Sequence, residues 1–446
     1  MNKSMTSGTP WKLLVMFSGP IIAGNLLQQM YHTADTLVVG NVEGEVALSA
    51  VGSCASLTEL FIALAIGFST GAGILIAQCY GAERYELLKK YASTAIILLV
   101  TLGFVMSVVG VVAGKIILEK LLRVPKHMLG MTIKYFRIYS LGLTFQFGYN
   151  VYAAILRAIG DSSSTLYILM GSSLSNILLD LLFVNVWKLG IAGAAVATVI
   201  SQVVACIACI IYTYRKYEIL RFWKKCLYYD YELSYQIVKI GAPMALQSSV
   251  ISLGMMMVQK LVNSYGQVMM ASFAVVTRLN GWITIPIKSL QNAMATYAGQ
   301  NIGAKKEDRI SVGLWQSILM SIGITSFFCI LIFFNMETIV TWFGLDVEAS
   351  KICMMNLRVT LPSVLLFAAY FPMNGVFQGV GDAAHATAYA MLALALRILF
   401  AYTLSTFSYW GYTAIWWSET YAWIVVSVVY YIYYFQGKWK RKVLIS

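Results

Sequence analysis

Apolar residues run in long unbroken blocks along this chain, and short polar or basic clusters separate them. Ala92–Ala113, Leu166–Trp187 and Gly313–Phe334 are typical blocks, each near the roughly 20 residues that a helix needs to cross a bilayer core. Backbone groups in lipid must be hydrogen-bonded within the protein, which leaves helices or a closed barrel. A barrel strand alternates apolar and polar positions; these blocks do not, so they read as helices. The pattern predicts twelve spans, at 13–38, 47–78, 92–114, 132–153, 165–187, 190–213, 239–264, 269–298, 311–334, 352–376, 384–408 and 410–435. The first is too long for a signal-peptide core, and no small-residue cleavage site follows it, so it is expected to be retained.

Composition sharpens the class. Charged residues are 11% of the chain and hydrophobic residues 59%, with a mean hydropathy of +0.73. A typical soluble domain is about 25% charged, so this is expected to be an all-α polytopic membrane protein. With both termini placed in the cytoplasm, most of the 32 Lys and Arg fall on the inner side, as the positive-inside rule requires. The net charge of +13 therefore reports topology, and nucleic-acid binding is excluded because the basic residues are scattered over loops. Cys206 and Cys209 form a CxxC inside an apolar span, where small packing residues are the expected reading rather than a zinc knuckle. There is no Gly-x4-Gly-Lys-Ser/Thr and no His-Glu-x-x-His, so neither direct ATP drive nor metal hydrolysis is indicated. No enzyme activity and no cofactor are expected.

The two halves echo one another. "AILRAIGDSSSTLY" (154–167) and "GVFQGVGDAAHATAY" (375–389) both join an apolar run to a Gly-Asp pair, and those pairs lie 221 positions apart. "SGP" ending at Pro20 matches "GAP" ending at Pro243, and "IAQCYGAER" (76–84) matches "AGQNIGAKK" (298–306). Six spans per copy leave both copies in the same orientation, a parallel repeat. The expected organisation is an N-lobe (1–213), a basic linker (214–236) and a C-lobe (237–446). The Gly-Asp and Gly-Ala pairs are expected at cytoplasmic helix ends. Glycine allows a tight turn there, and Asp161 and Asp382 cap the helices that follow.

Ionisable residues inside spans are costly and mark function by default. Asp35, Glu59 and Asp180 stand out, with His32 near Asp35. Asn176 is one turn from Asp180 on the same helix face. At about 1.5 Å per residue, Asp35, Asn176, Asp180 and Thr198 all fall in the outer third of the N-lobe, roughly 7–12 Å below its rim. Two carboxylates, an amide oxygen and a hydroxyl suit Na⁺, and they equally suit a proton, because repulsion and low dielectric raise a carboxyl pKa.

On these stretches the chain resembles the multidrug and toxic-compound extrusion (MATE) family of secondary transporters. The resemblance spans the chain and rests on "QQMYHTADTLVVGNV", "GAGILIAQCYGAER", "YNVYAAILRAIGDSSSTLY", "NILLDLLFV", "GIAGAAVATVISQ", "AGQNIGAKKEDR" and "GVGDAA". It implies twelve helices in two six-helix bundles, and export of amphipathic, usually cationic compounds in exchange for H⁺ or Na⁺. It also implies that Asp35, Asn176, Asp180 and Thr198 form an N-lobe cation site. Many relatives carry acidic residues in spans 7, 8 or 10, and here those spans have none, which argues against a second cation site in the C-lobe.

The charged groups inside the C-lobe spans are instead Lys260, Arg278, Lys288, Arg397 and Glu419. Lys260 is expected to snorkel to the outer surface. Arg278 and Arg397 either pair with Glu419 or line a substrate cavity. Tyr31, Tyr149, Glu59 and Met256, with Met255, Met257, Tyr370 and Phe371, are further candidates for an adaptable cavity. The expected partners are organic cations and the lipid bilayer, and the expected protein is a monomer in the cell membrane. A lipid-linked saccharide flippase of related two-lobe plan is the alternative function, and a membrane enzyme or channel the third.

Overall fold

The computed structural model describes residues 4–122, 124–221 and 228–441, without the side chains of 31–46, 48, 56, 121, 252 and 441. The described residues form thirteen α-helices: α1 (Pro10–Gly81), α2 (Tyr85–Ile116), α3 (Lys126–Leu141), α4 (Leu143–Ala158), α5 (Ser162–Asp180), α6 (Ile191–Lys216), α7 (Tyr231–Ser264), α8 (Gln267–Gly303), α9 (Glu307–Phe334), α10 (Met336–Trp342), α11 (Val347–Gly379), α12 (Ala383–Ser405) and α13 (Ala414–Phe435). Ten stretches among them are long and apolar enough to cross a membrane, two of them within α1, at Pro10–Met30 and Ser49–Gly81. The α3–α4 pair and α13 supply the other two of the twelve. This is an all-α, multi-pass architecture of two six-helix lobes related by a parallel repeat.

Two spans depart from the expected outline. The backbone stays helical through 39–46, where a break was expected; that stretch has two glycines but no proline to force an exit. The fourth span, expected as one helix, is divided at Gly142, whose N–H bonds back to Tyr139 O at 3.0 Å. A Cβ at 142 would collide with Gln202 Oε1 and stand 3.0 Å from Val199 Cγ2, so α6 approaches closely here. Two further spans end in π-helical turns, Ile117–Leu121 after α2 and Leu181–Val186 after α5.

The chain divides into two compact units, one of residues 1–4 and 19–245, the other of residues 5–18 and 246–446. In the first, the second half of α1 packs against the start of α7 through small residues. A Cβ on Gly67 would lie 2.5 Å from the backbone of Ala245, and one on Gly71 would lie 2.6 Å from that of Gly241. Small residues four apart on facing helices let backbones meet, and dispersion then holds them where lipid offers no hydrophobic drive. In the second unit, Gly375 and Gly379 of α11 meet the backbone carbonyls of Gln291 and Ala295 on α8 in the same way. That unit also holds the segment before α1: Met5 N–H donates to Gln300 Oε1 at 2.8 Å, and Asn301 Nδ2 donates back to Met5 O at 3.1 Å.

The repeat extends to backbone dihedrals. Gly160 and Gly381 both have φ of 93°. Asp161 N–H reaches Leu156 O at 2.9 Å, and Asp382 N–H reaches Phe377 O at 2.8 Å, the six-to-one bond of a Schellman end. At the Gly-Ala joints the expectation fails in detail. The left-handed residues there are Glu83 and Lys305, both at φ 58°, and not the glycines. Gly81 and Gly303 close the helices two positions earlier.

Candidate functional site

The α5 helix begins at Asp161, whose carboxylate accepts Ser164 N–H at 3.1 Å. Tyr212 at 2.9 Å, Tyr217 at 2.5 Å and Lys216 at 3.1 Å also donate to it. Burial alone would raise this carboxyl's pKa, but the hydrogen bonds from Tyr217, Ser164 and Tyr212 outweigh it and hold the group below the ordinary aspartate range. The cap expected at Asp161 is therefore present. Its repeat mate differs: the Asp382 side chain makes no bond to a backbone N–H of α12. It engages His385 Nδ1 at 2.7 Å and Tyr433 Oη at 2.5 Å instead.

With its start fixed, α5 turns a polar stripe inward. Ser172, Ser173, Asn176 and Asp180 are all buried, with Asn176 at 2% and Asp180 at 1% exposure. The spacing of three and four puts them on one face. Neither amide atom of Asn176 has a hydrogen-bond partner among the described residues. Buried amides are normally satisfied, which sets this one apart. Directly after Asp180 the helix widens into the π turn at Leu181–Val186, a feature that recurs at functional positions. Sequence reasoning found Asn176 and Asp180 but missed the two serines; Ser172 lies four residues and Ser173 three residues before Asn176, and that spacing was the available signal.

The α6 helix packs on α5. Its Thr198 is half-buried and donates its hydroxyl to Ala194 O at 3.0 Å, which leaves the oxygen lone pairs to accept or to coordinate. One turn on, Gln202 Nε2 lies 3.5 Å from Gln146 Oε1, which also accepts from Tyr139 at 3.3 Å. Asp35, with Tyr31 and His32, lies outside the residues whose side chains the structure describes.

Glu59, Met256 and Arg278 are exposed and Tyr149 is half-buried. Tyr370 is core: it is buried against Phe371, Trp423 and Tyr430 and accepts a hydrogen bond from Asn374 at 3.1 Å. Lys260 and Lys288 are exposed. Of the two basic residues expected either to pair or to line a cavity, Arg397 pairs, its Nη2 2.8 Å from Glu419 Oε2.

Comparisons with known proteins agree on kind. The MatE family profile matches residues 20–182 and 243–403, one copy in each half. The chain is 31% identical over 444 residues to the "Probable multidrug resistance protein YoeA" of Bacillus subtilis, covering 97% of this chain and 95% of that one. It is 25% identical over 409 residues to "Multidrug export protein MepA" of Staphylococcus aureus, covering 92% and 90%. Among solved structures, an outward-facing multidrug resistance MATE transporter of the MOP superfamily superposes with a TM-score of 0.90 at 22% identity, over 97% of this chain and 96% of that one. A MOP superfamily transporter from Pyrococcus furiosus, described as having a binding pocket of reverse polarity, superposes with a TM-score of 0.88 at 21% identity, over 97% of this chain and 96% of that one.

Proposed function

Because this chain belongs to the multidrug and toxic-compound extrusion (MatE) family, we propose that it is a secondary active exporter of amphipathic small molecules, organic cations among them. It works by antiport against H⁺ or Na⁺. The observation that carries the reading is the buried Asn176–Asp180 pair on one face of α5. The Asn176 amide, buried with neither polar atom hydrogen-bonded among the described residues, is costly unless a ligand reaches it, and an ionisable side chain one turn on inside the same span marks function by default.

In this reading Asp35 and Asp180 take up the cation from the outward-facing state, and Asn176 and Thr198 supply neutral oxygens. Cation binding drives substrate release, and the loaded carrier returns by alternating access of its two lobes. Coupling requires that ion and substrate favour different states or compete directly. Both termini are cytoplasmic in the cell membrane, and the working unit is a monomer. The flippase reading loses ground because Arg397, one of the three mid-membrane basic residues it relied on with Arg278 and Lys288, already faces Glu419.

The test is transport in proteoliposomes. A fluorescent organic cation is followed under an imposed pH gradient, then under an imposed Na⁺ gradient, for the parent and for Asp35→Asn. Export driven by one gradient and lost in the variant supports the reading and names the ion. Undiminished transport by the variant overturns it.

A further inference from the structure

The second unit contains a small polar pocket that the N-lobe site does not account for. It has a volume of about 80 Å³ and is lined by residues of α7, α8, α11, α12 and α13. Arg397 and Glu419 form its charged floor. Around them Asn356, at 0% exposure, has neither amide atom hydrogen-bonded among the described residues, and Trp416, at 2%, has an unpartnered indole N–H. Asn280 Oδ1 and Arg397 Nε are likewise buried without partners, and Arg397 Nη1 has only the thioether of Met255 at 3.3 Å. Buried donors and acceptors of both kinds therefore converge unfilled on one ion pair, where native interiors leave few such groups.

The repeat explains how the pocket arose. Tyr212 bonds Asp161 and Tyr433 bonds Asp382, both pairs offset by 221. These anchors bracket the intervening helices, so the register between them is fixed. At that offset Arg397 matches Asn176, Glu419 matches Thr198, and Ala401 matches Asp180. Where the first unit offers neutral oxygens beside a carboxylate, the second holds a fixed guanidinium and its own counter-charge.

We infer that the Arg397–Glu419 pocket is a binding site for a zwitterionic ammonium–carboxylate group, either a small free molecule or the polar end of a larger substrate. Charge balance selects the class. A lone cation at Glu419 is opposed by Arg397, and a lone anion at Arg397 is opposed by Glu419; disturbing the pair from one side leaves a buried charge uncompensated. A ligand carrying both charges pairs with both residues at once. Its carboxylate takes the donors of Arg397 Nε and Trp416, and its ammonium takes Glu419 and Asn280 Oδ1. The volume holds several water-sized groups and is far below that of a drug-sized pocket, so only such a head group enters.

The full chain in maltoside micelles, free of zwitterionic lipid, tests this. Thermal unfolding is measured against glycine, acetate and methylammonium at matched ionic strength. Glycine is expected to raise the Tm by a few degrees in a saturable manner, with no such rise from the two ions. Arg397→Gln and Glu419→Gln should lose the glycine response. Asn356→Ala weakens it without touching the ion pair, which covers the case in which the charge variants do not fold. Absence of a saturable glycine shift in the parent, or an equal shift with acetate or methylammonium, overturns the inference. Binding is read with no gradient present, so this outcome is independent of whether export is ion-coupled.

Discussion

The Tyr212 hydroxyl donates to the Asp161 carboxylate at 2.9 Å, tying the end of α6 to the start of α5. With Tyr217, Ser164 and Lys216 on the same carboxylate, Asp161 is a joint of the first unit and not only a helix cap. Its depressed pKa has a definite sign. The unfolded value is near 3.9, so the stabilisation is fully present above about pH 4 and is lost as pH falls through the lower folded value. Asp161→Asn should lower the Tm most at neutral pH. It should also flatten the fall in Tm below about pH 4 relative to the parent. Thermal unfolding of both proteins between pH 3 and 7 checks this; parallel curves would show that Asp161 is not the group that titrates.

The contact between α1 and α7 makes a second prediction. A methyl at position 71 would stand 2.6 Å from Gly241 N, and a backbone atom cannot step aside as a side-chain tip can. Gly71→Ala should destabilise by about 1–3 kcal/mol, the usual cost of overpacking. Gly281, inside α8, has nothing within 4 Å of the place a methyl would take. Gly281→Ala should therefore be neutral or stabilising by up to about 1 kcal/mol. Equal Tm values for the two variants would contradict the close approach.

Span number, helix type and the internal repeat were legible because lipid forces long apolar runs, and because a duplicated chain keeps its turn residues in register. Asn176 and Asp180 were legible because a carboxylate in such a run is conspicuous. The Gly142 break was not, since nothing but a single glycine interrupts the helical pattern there. Nor was the choice of Glu83 and Lys305 as the left-handed residues, because each follows a glycine that local preference would have chosen. Arg397 was legible as a mid-span charge, but only three-dimensional packing selects Glu419 as its partner and leaves Arg278 exposed.

Those left-handed residues carry strain. A non-glycine residue at φ 58° costs roughly 1–2 kcal/mol in the left-handed region, and part of that is offset by the lower unfolded-state entropy relative to glycine. Both side chains are exposed, so little packing is lost on truncation. Glu83→Gly and Lys305→Gly should each raise stability by about 0.5–1 kcal/mol. A Tm comparison of both single variants with the parent decides it, with a lower Tm in either variant counting against strain at that joint.

The α5 stripe predicts a separation of transport from folding. Asp180→Asn keeps the shape of the side chain and removes a buried charge, so expression and Tm should match or exceed the parent. Gradient-driven export should fall more than tenfold, about 1.4 kcal/mol in the coupled step. Asn176→Ala should weaken the apparent affinity for the coupling cation and spare the maximal rate at high cation. Export by Asp180→Asn at the parent rate would remove Asp180 from the site, whatever its burial.

The Arg397–Glu419 pair permits a thermodynamic cycle. Both side chains are largely buried, at 12% and 14% exposure, with 2.8 Å between charged atoms. Removing one partner leaves the other charged in a low-dielectric setting, so Arg397→Met and Glu419→Gln should each destabilise by about 3–5 kcal/mol. Removing both leaves no buried charge, and the double variant should recover most of the loss. The coupling energy should be large and of rescuing sign, since the residues are in direct contact. If the two losses simply added, each side chain would be acting through its packing, with the opposite charge contributing nothing. Measured by denaturation in the same micelles, the cycle separates an ion pair that holds unit 2 together from one that waits there for a ligand. In the second case glycine restores no stability to the double variant and raises that of the parent.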